Sequence, residues 1–271
     1  MEMLNLGCGR RFHPAWINVD FAGNAPHVLG HDLKKGIPFA DKSFQVVYHS
    51  HLLEHFPREL APGFLRECYR VLGPGGLLRV VVPDLEGIAK LFLERLSAAA
   101  AAQPGADADY DWLMLELYDQ TVRTEPGGAM KRYLQQAEIP NREFIASRMG
   151  WLDESQQGEF GVPTAGARGP SRWARILRRK TWHERFKRLI LGAEYEVLQE
   201  GRFRRSGEMH AWMYDRFSLA RLLDSIGFVE IRRCAAAESA IADWALYRLD
   251  VESNGAVRKP DSLFMECRKP G

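Results

Sequence analysis

The residues most able to do chemistry begin at the N-terminus, where Leu4-Asn5-Leu6 runs into Gly7-Cys8-Gly9 and Asp20 follows at the end of Trp16-Ile17-Asn18-Val19. An apolar run ending in Gly-x-Gly reads as a buried strand breaking into a tight turn, where missing side chains let backbone N–H groups approach a ligand. A second apolar strand then delivers a carboxylate, which in nucleotide-binding α/β folds accepts hydrogen bonds from ribose hydroxyls. Turn and acid together point to an adenosine-containing ligand. Two histidines offer proton chemistry. His210 lies in Gly207-Glu208-Met209-His210-Ala211-Trp212-Met213-Tyr214-Asp215, and His55 closes Ser50-His51-Leu52-Leu53-Glu54-His55. Imidazole titrates near neutrality and can take a hydroxyl proton. The alternative for His210 is a loop histidine bonded to backbone; for Glu54 and His55 it is a cap on the next helix that braces the sheet edge. His49, His51 and His55 form a further conceivable metal set, since His51 and His55 would share one face of a helix. Whether the strand-end rings of His49 and His51 converge depends on the local turn.

The elements that must position these groups alternate early in the chain. Met3 to Leu6, Trp16 to Val19, Val28 to Leu29 and Phe44 to His49 are short apolar runs separated by Gly, Pro, Asp and Asn, as strands are. Arg58 to Leu72 carries Leu60, Phe64, Leu65, Cys68, Val71 and Leu72 at helical spacing, and Gly73-Pro74-Gly75-Gly76 stops it. Leu77 to Val82 follows as a continuous strand of the kind covered on both faces in parallel sheets. Near the other end, Phe217 to Ile226 reads as a helix stopped by Gly227, Phe228 to Cys234 as a strand, and Leu263 to Cys267 as a final strand. Between them, roughly from Ser97 to Arg204, lies a long insertion rich in helix formers, expected to supply accessory helices or a lid. The Ala98 to Ala102 run with Gln103-Pro104-Gly105 reads as a helix end and loop. The reading is one α/β domain, residues 1–96 and 205–271, with residues 97–204 inserted.

Composition sets outer limits. The 271 residues are 46% hydrophobic and 27% charged, as in a globular protein, and no run approaches the roughly 18 to 20 apolar residues that span a bilayer. The N-terminus enters a strand at once, without a basic leader or cleavable apolar segment, so a cytoplasmic location is expected. Cys8, Cys68, Cys234 and Cys267 are too scattered for a disulfide framework or a Cys-x-x-Cys metal knuckle and are expected as reduced thiols.

Taken in order, Leu-Asn-Leu-Gly-Cys-Gly, Asp20, His31-Asp32-Leu33, Asp41-Lys42-Ser43-Phe44, Ser50 to His55 and Arg70-Val71-Leu72-Gly73-Pro74-Gly75-Gly76 resemble the class I S-adenosylmethionine-dependent methyltransferases, especially the type 11 group. The resemblance covers residues 2 to 93 and returns at Gly207 to Arg233. It implies a Rossmann-like, mostly parallel sheet of about seven strands and S-adenosyl-L-methionine as cofactor. It further implies that Gly7, Cys8 and Gly9 pass beside the methionine end of the cofactor, that Asp20 binds the ribose diol, that Asp32 and Leu33 hold the adenine, and that Ser50 lines the cofactor. It requires no metal. Two positions depart from the family pattern: Arg11 replaces the third glycine, and the gap from Gly9 to Asp20 is too short for a full helix. That shortness disfavours a nicotinamide dinucleotide, whose pyrophosphate wants a complete helix N-terminus beneath it.

Methyl transfer from a sulfonium is a direct displacement, so the protein must align the nucleophile and remove a proton from a hydroxyl acceptor. His210 and His55 are the candidate bases, and Tyr118, Asp119, Arg123 and Tyr214 the candidate substrate contacts. Asp84 reads as a helix N-cap. The acceptor is expected to be an oxygen or nitrogen of a small polar molecule, a saccharide or a lipid-linked glycan, because type 11 relatives often act in such pathways. The alternative is a binding or scaffold protein that keeps the fold without turnover. Arg168 to Leu191 carries nine basic residues against Glu184 alone, a local excess of +8 that leaves the rest of the chain at −6. With Trp173, Ile176, Leu177, Trp182, Phe186, Leu189 and Ile190 interleaved, it reads either as a helix packed on the lid with a solvated basic face or as a peripheral contact with an anionic inner membrane face. Nucleic acid is not expected, since no RNA-binding motif accompanies it.

Overall fold

The computed structural model describes residues 2–23, 25–150 and 184–271. Seven strands make one sheet: β1 (Met3–Leu6), β2 (Ile17–Asp20), β3 (Val28–Gly30), β4 (Phe44–Ser50), β5 (Leu72–Pro83), β6 (Val229–Cys234) and β7 (Ser262–Arg268). Their order across the sheet is β3-β2-β1-β4-β5-β7-β6, with the first five parallel and β7 antiparallel to both its neighbours. The expected α/β class and mostly parallel seven-strand sheet are what the chain forms.

Period-two alternation splits the strand side chains between two cores. Leu4, Leu6, Val19, Val47, Val80 and Val82 join α1 (Ala61–Val71) on one face. Met3, Val46, Tyr48, Val81 and Phe264 meet Trp16, Trp244 and Leu249 on the other. The central strands are therefore covered twice, which is why they read as unbroken apolar runs.

The connection from β1 to β2 contains no helix. Asparagines take over part of its work: Asn5 Nδ2 donates to Asn18 Oδ1 at 3.0 Å, and Asn18 Nδ2 donates to the carbonyls of His13 at 3.0 Å and Trp16 at 2.7 Å. Trp16, buried in the second core, anchors the loop.

Three expectations shift. The first helix starts at Ala61, not Arg58, with Pro62 in its first turn, where a proline's missing N–H costs nothing. Strand β5 begins at Leu72, paired with Phe44; the glycine segment then bulges before pairing resumes at Val46 and Leu77. Gly76 is required there, since a Cβ would lie 2.8 Å from the Gly73 carbonyl. The insertion boundary at residue 97 falls inside α2 (Leu85–Ala100), so sheet and helical regions share one continuous helix.

Beyond α2 come α3 (Ala106–Val122), α4 (Gly128–Leu134), α5 (Arg142–Met149) and α6 (Glu194–Arg204), with a small core of Trp112, Met130 and Ile145. The Phe92 and Tyr110 rings, 5.6 Å apart, pack α2 on α3. Residues 168–183 of the basic segment lie outside the described residues; 184–191 are helical and expose Phe186, Leu189 and Ile190. Helix α7 (Arg216–Ile226) starts at a reciprocal cap between Asp215 and Ser218 and stops at Gly227, whose φ is +105°. A short α8 (Trp244–Tyr247) precedes β7. Among the described residues no helix is long and apolar enough to cross a membrane. All four cysteines are free and buried.

Candidate functional site

The site is built at the carboxyl ends of the parallel strands, where open α/β sheets bind ligands. Past β1, Gly7 and Gly9 take φ of +63° and +53°. The backbone turns back far enough for the Cys8 amide to reach the Val19 carbonyl at 3.2 Å. Asp20, closing β2, accepts from the Gly9 amide at 2.9 Å and from Ala22 at 3.1 Å. Turn and acid thus meet, as their types suggested, and the space around Gly9 is open. Gly7 lies against Leu52, where a Cβ would come within 2.8 Å of Cδ1, so the turn seats directly on the loop after β4. Burial, then the nearby Asp20 charge, pushes the Cys8 thiol up to about 12, leaving it no nucleophile.

Asp32 and Leu33 are arranged differently from the adenine-holding pair the resemblance implies. Asp32 caps the 3-10 turn Leu33–Lys35 by accepting from the Lys34 amide at 3.1 Å, and Leu33 points into the core with Val19 and Ile37. The tight turn sends the leucine inward, where it packs on protein.

The second half of the site lies where the β4 loop, the end of α3 and the segment before α7 converge. The Glu54 carbonyl accepts from the amides of Ala211 at 2.7 Å and Trp212 at 3.2 Å. The His210 amide donates to the Gln120 carbonyl at 2.9 Å, and Arg123 donates to the Glu208 carbonyl at 2.8 Å. The backbone of residues 208–212 is thereby clamped between α3 and the β4 loop, and His210 is held over Glu54. The His55 and His210 rings meet edge to face, 4.9 Å between centroids. His55 Nδ1 is 3.0 Å from the Met209 carbonyl, His51 Nδ1 is 3.2 Å from Glu54 Oε1, and His210 Nε2 is 4.0 Å from the same oxygen. His51 Nε2 reaches Ser262 Oγ at 2.8 Å. One ligand atom each from Glu54, His55 and His210 lies within 4.8 Å of the other two.

Burial dominates the electrostatics. It pushes the Glu54 carboxyl up to about 8 and the Tyr214 phenol up to about 12, and it lowers His51, His55 and His210, so these imidazoles are neutral near pH 7 with a lone pair to give. Both Glu54 carboxylate oxygens and the Tyr214 hydroxyl are buried without a hydrogen-bond partner.

Sequence expectations divide here. His55, His210 and Tyr214 lie around Glu54, Arg123 lies beside His55 and His210, and Ser50 ends β4 beside Val81. Asp119 is not available to a substrate, because its two oxygens take the amides of Ala129 at 2.6 Å and Met130 at 3.2 Å and so cap α4. Tyr118 is exposed, and its carbonyl serves the Thr121 hydroxyl. The trio of His49, His51 and His55 does not converge, because His49 packs edge-on against Phe64 in the core. No α-helix follows β4 to place His51 and His55 on one face; a 3-10 turn, Leu53–His55, stands there, with His51 at φ +52°. Glu54 is the residue here that the sequence reading assigns only to a cap; the signal for it is the His-x-x-Glu-His spacing of residues 51–55.

Residues 15–80 match the family profile described as a methyltransferase domain. No curated protein matches the chain. Among solved structures, the chain aligns over 99% of its length with 86% of a SAM-dependent methyltransferase from Archaeoglobus fulgidus, at 12% identity and a TM-score of 0.37. It aligns over 99% of its length with 82% of a SAM-dependent methyltransferase from Thermotoga maritima, described as a possible histamine N-methyltransferase, at 10% identity and a TM-score of 0.38. A shorter match covers 36% of this chain and 51% of the YcgJ protein from Bacillus subtilis, at 20% identity and a TM-score of 0.26.

Proposed function

We propose that this chain, a class I S-adenosylmethionine-dependent methyltransferase by its matched domain and its sheet, transfers a methyl group to an oxygen or nitrogen of a polar acceptor, with a saccharide or lipid-linked glycan as the favoured class. The observation carrying this reading is the meeting of the Gly7–Gly9 turn with Asp20 on one side of Leu52, and of Glu54, His55 and His210 immediately after it. The residues at the ribose end fit the cofactor: the turn is open at Gly9, and a carboxylate stands beside it where a ribose diol needs an acceptor. When bound, S-adenosylmethionine supplies an electrophilic methyl on a sulfonium.

The chain's own part is alignment and proton removal. Gly7, Cys8 and Gly9 present backbone, and Asp20 receives the ribose hydroxyls. Ser50 closes the floor at the end of β4. His55 or His210, neutral and facing inward, takes the proton of a hydroxyl acceptor. Arg123 and Tyr214 border the acceptor side. A polar acceptor suits the carboxyl, imidazole, guanidinium and phenol groups of Glu54, His55, His210, Arg123 and Tyr214. The exposed Phe186, Leu189 and Ile190 on the helix at 184–191 support a lipid-linked acceptor presented at an anionic membrane face.

The test is incubation with methyl-labelled cofactor and fractionated acceptors, comparing wild type with His210→Ala and His55→Ala. Label is expected in the glycan fraction, falling by about 100-fold or more in at least one variant. Cofactor binding without transfer to any fraction would favour the scaffold reading, and unchanged labelling in both variants would remove the proposed bases. Sedimentation with anionic vesicles at low and high salt tests the membrane contact, which fails if nothing binds at low salt.

A further inference from the structure

We infer that Glu54, His55 and His210 form a divalent-cation site that grips the acceptor's oxygen; this rests on the methyltransferase reading above. Two imidazoles and one carboxylate from two distant segments bring one ligand atom each within 4.8 Å. Ligand atoms around a cation at about 2.1 Å stand roughly 3.4 Å apart, so side-chain adjustments of about an ångström close the set.

A second, independent observation points to a ligand. Glu54 is fully buried, yet neither carboxylate oxygen has a hydrogen-bond partner. A buried carboxyl with neither oxygen answered is costly, and a bound cation would answer both. The surroundings are those of a ligand set: with His55 Nδ1 donating to the Met209 carbonyl, its Nε2 is left as a bare lone pair, the tautomer a metal-binding imidazole needs. His51, held by Ser262 through Nε2, sets its Nδ1 3.2 Å from Glu54 Oε1, and the amides of Ala211 and Trp212 fix the Glu54 backbone through its carbonyl. Lys259, Asp261 and Arg123 supply the other charges around the cluster.

Two nitrogens and one oxygen select a transition cation such as Mn2+ or Zn2+ over Mg2+, which prefers oxygen and water. Three protein ligands leave positions open for an acceptor hydroxyl, whose proton becomes more acidic on coordination. In that arrangement the proton passes to water, and an oxygen lone pair forms the new O–CH3 bond. The C–S bond breaks, and its electron pair stays on sulfur as the neutral thioether. The imidazoles then serve as ligands, and His55 and His210 are not needed as bases.

The experiment strips the full-length protein with chelator, removes the chelator and titrates Mn2+, following free Mn2+ by electron paramagnetic resonance, with Co2+ absorption as a second probe of imidazole ligation. Wild type is expected to take up one cation per chain, weakened about 100-fold or more in Glu54→Gln and in His55→Gln. The melting shift with S-adenosylhomocysteine is measured in parallel on each protein. Wild type that binds S-adenosylhomocysteine but takes up neither Mn2+ nor Co2+, or whose uptake both variants retain, overturns the site and leaves the imidazoles as bases. Cation uptake without any S-adenosylhomocysteine shift overturns the methyltransferase reading and leaves the site standing. Should Glu54→Gln not fold, His55→Gln and the cobalt spectrum of wild type decide the matter.

Discussion

Arg79, in the middle of β5, and Glu54, four residues past β4, are both fully buried, and their surroundings treat them in opposite ways. Arg79 spends its donors completely: Nε goes to Asp250 at 2.8 Å, Nη1 to Glu266 at 2.9 Å, Cys234 at 3.1 Å and the Glu238 carbonyl at 2.8 Å, and Nη2 to the carbonyls of Ala235 at 3.2 Å and Ala236 at 3.1 Å. Its guanidinium lies over the Trp244 ring, 4.6 Å from the centroid. The acids are answered too: Tyr48 donates to Asp250 at 2.6 Å, and Arg232, the Ala240 amide and Ser239 donate to Glu266. Glu54, by contrast, has imidazoles nearby and no hydrogen bond on either oxygen. A buried charge with every valence filled holds strands together, whereas a buried carboxyl left without a hydrogen bond is set aside for something that arrives from outside.

The comparison breaks or sharpens under four measurements. Arg79→Met leaves Asp250 and Glu266 buried together without their cation and is expected to cost about 3–5 kcal/mol in denaturant unfolding. A loss below about 1 kcal/mol would mean that the saturated network is not what holds β5 to β6 and β7. Glu54→Gln should leave stability equal to or above wild type while methyl transfer falls by about 100-fold, roughly 2.7 kcal/mol in barrier. Destabilisation larger than that of Arg79→Met would place Glu54 among the structural charges. Asp20→Ala is expected to weaken S-adenosylhomocysteine by about 1.5–3 kcal/mol, read as a reduced melting shift, since a charged acceptor is lost. An unchanged shift would detach the acid from the cofactor.

The smallest effect concerns a carboxylate answered at the surface. Amide hydrogen bonds from Ser218 and Phe217 hold the Asp215 carboxyl below its usual range. Because the folded value is depressed, its stabilisation is present above the unfolded carboxylate range near pH 4 and is lost as pH falls through the folded value. Asp215→Ala should cost about 1 kcal/mol at neutral pH, with the wild-type and variant curves drawing together under acid. Parallel curves down to pH 2 would show that the cap's charge is immaterial.

Where local physics decides, the chain was readable. Gly7 and Gly9 marked a turn because only that conformation needs them, and Asp20 fell beside it because a ten-residue connection between parallel neighbours leaves little freedom. Asp215 and Gly227 bounded α7 because caps act within one turn. Asp119 misled because an acid before a Gly-Gly turn looks the same whether it faces substrate or, as here, the amides opening α4. Leu33 misled in the same way, since the adjacent Asp32 reveals nothing about which side of the 3-10 turn carries the leucine.

Alternation of apolar residues, glycine punctuation and helix caps were sufficient to determine an α/β sheet with a glycine turn and an acid at its carboxyl edge, because each is an interaction between neighbours in the chain. The pairing of buried charges was decided only in three dimensions. Asp250 and Glu266 come to Arg79 from 171 and 187 residues away, and His210 is carried to Glu54 by backbone clamps on α3 and the β4 loop. Whether a buried charge is satisfied depends on partners that the linear order does not place beside it, so folding alone determined that Arg79 is closed and Glu54 open.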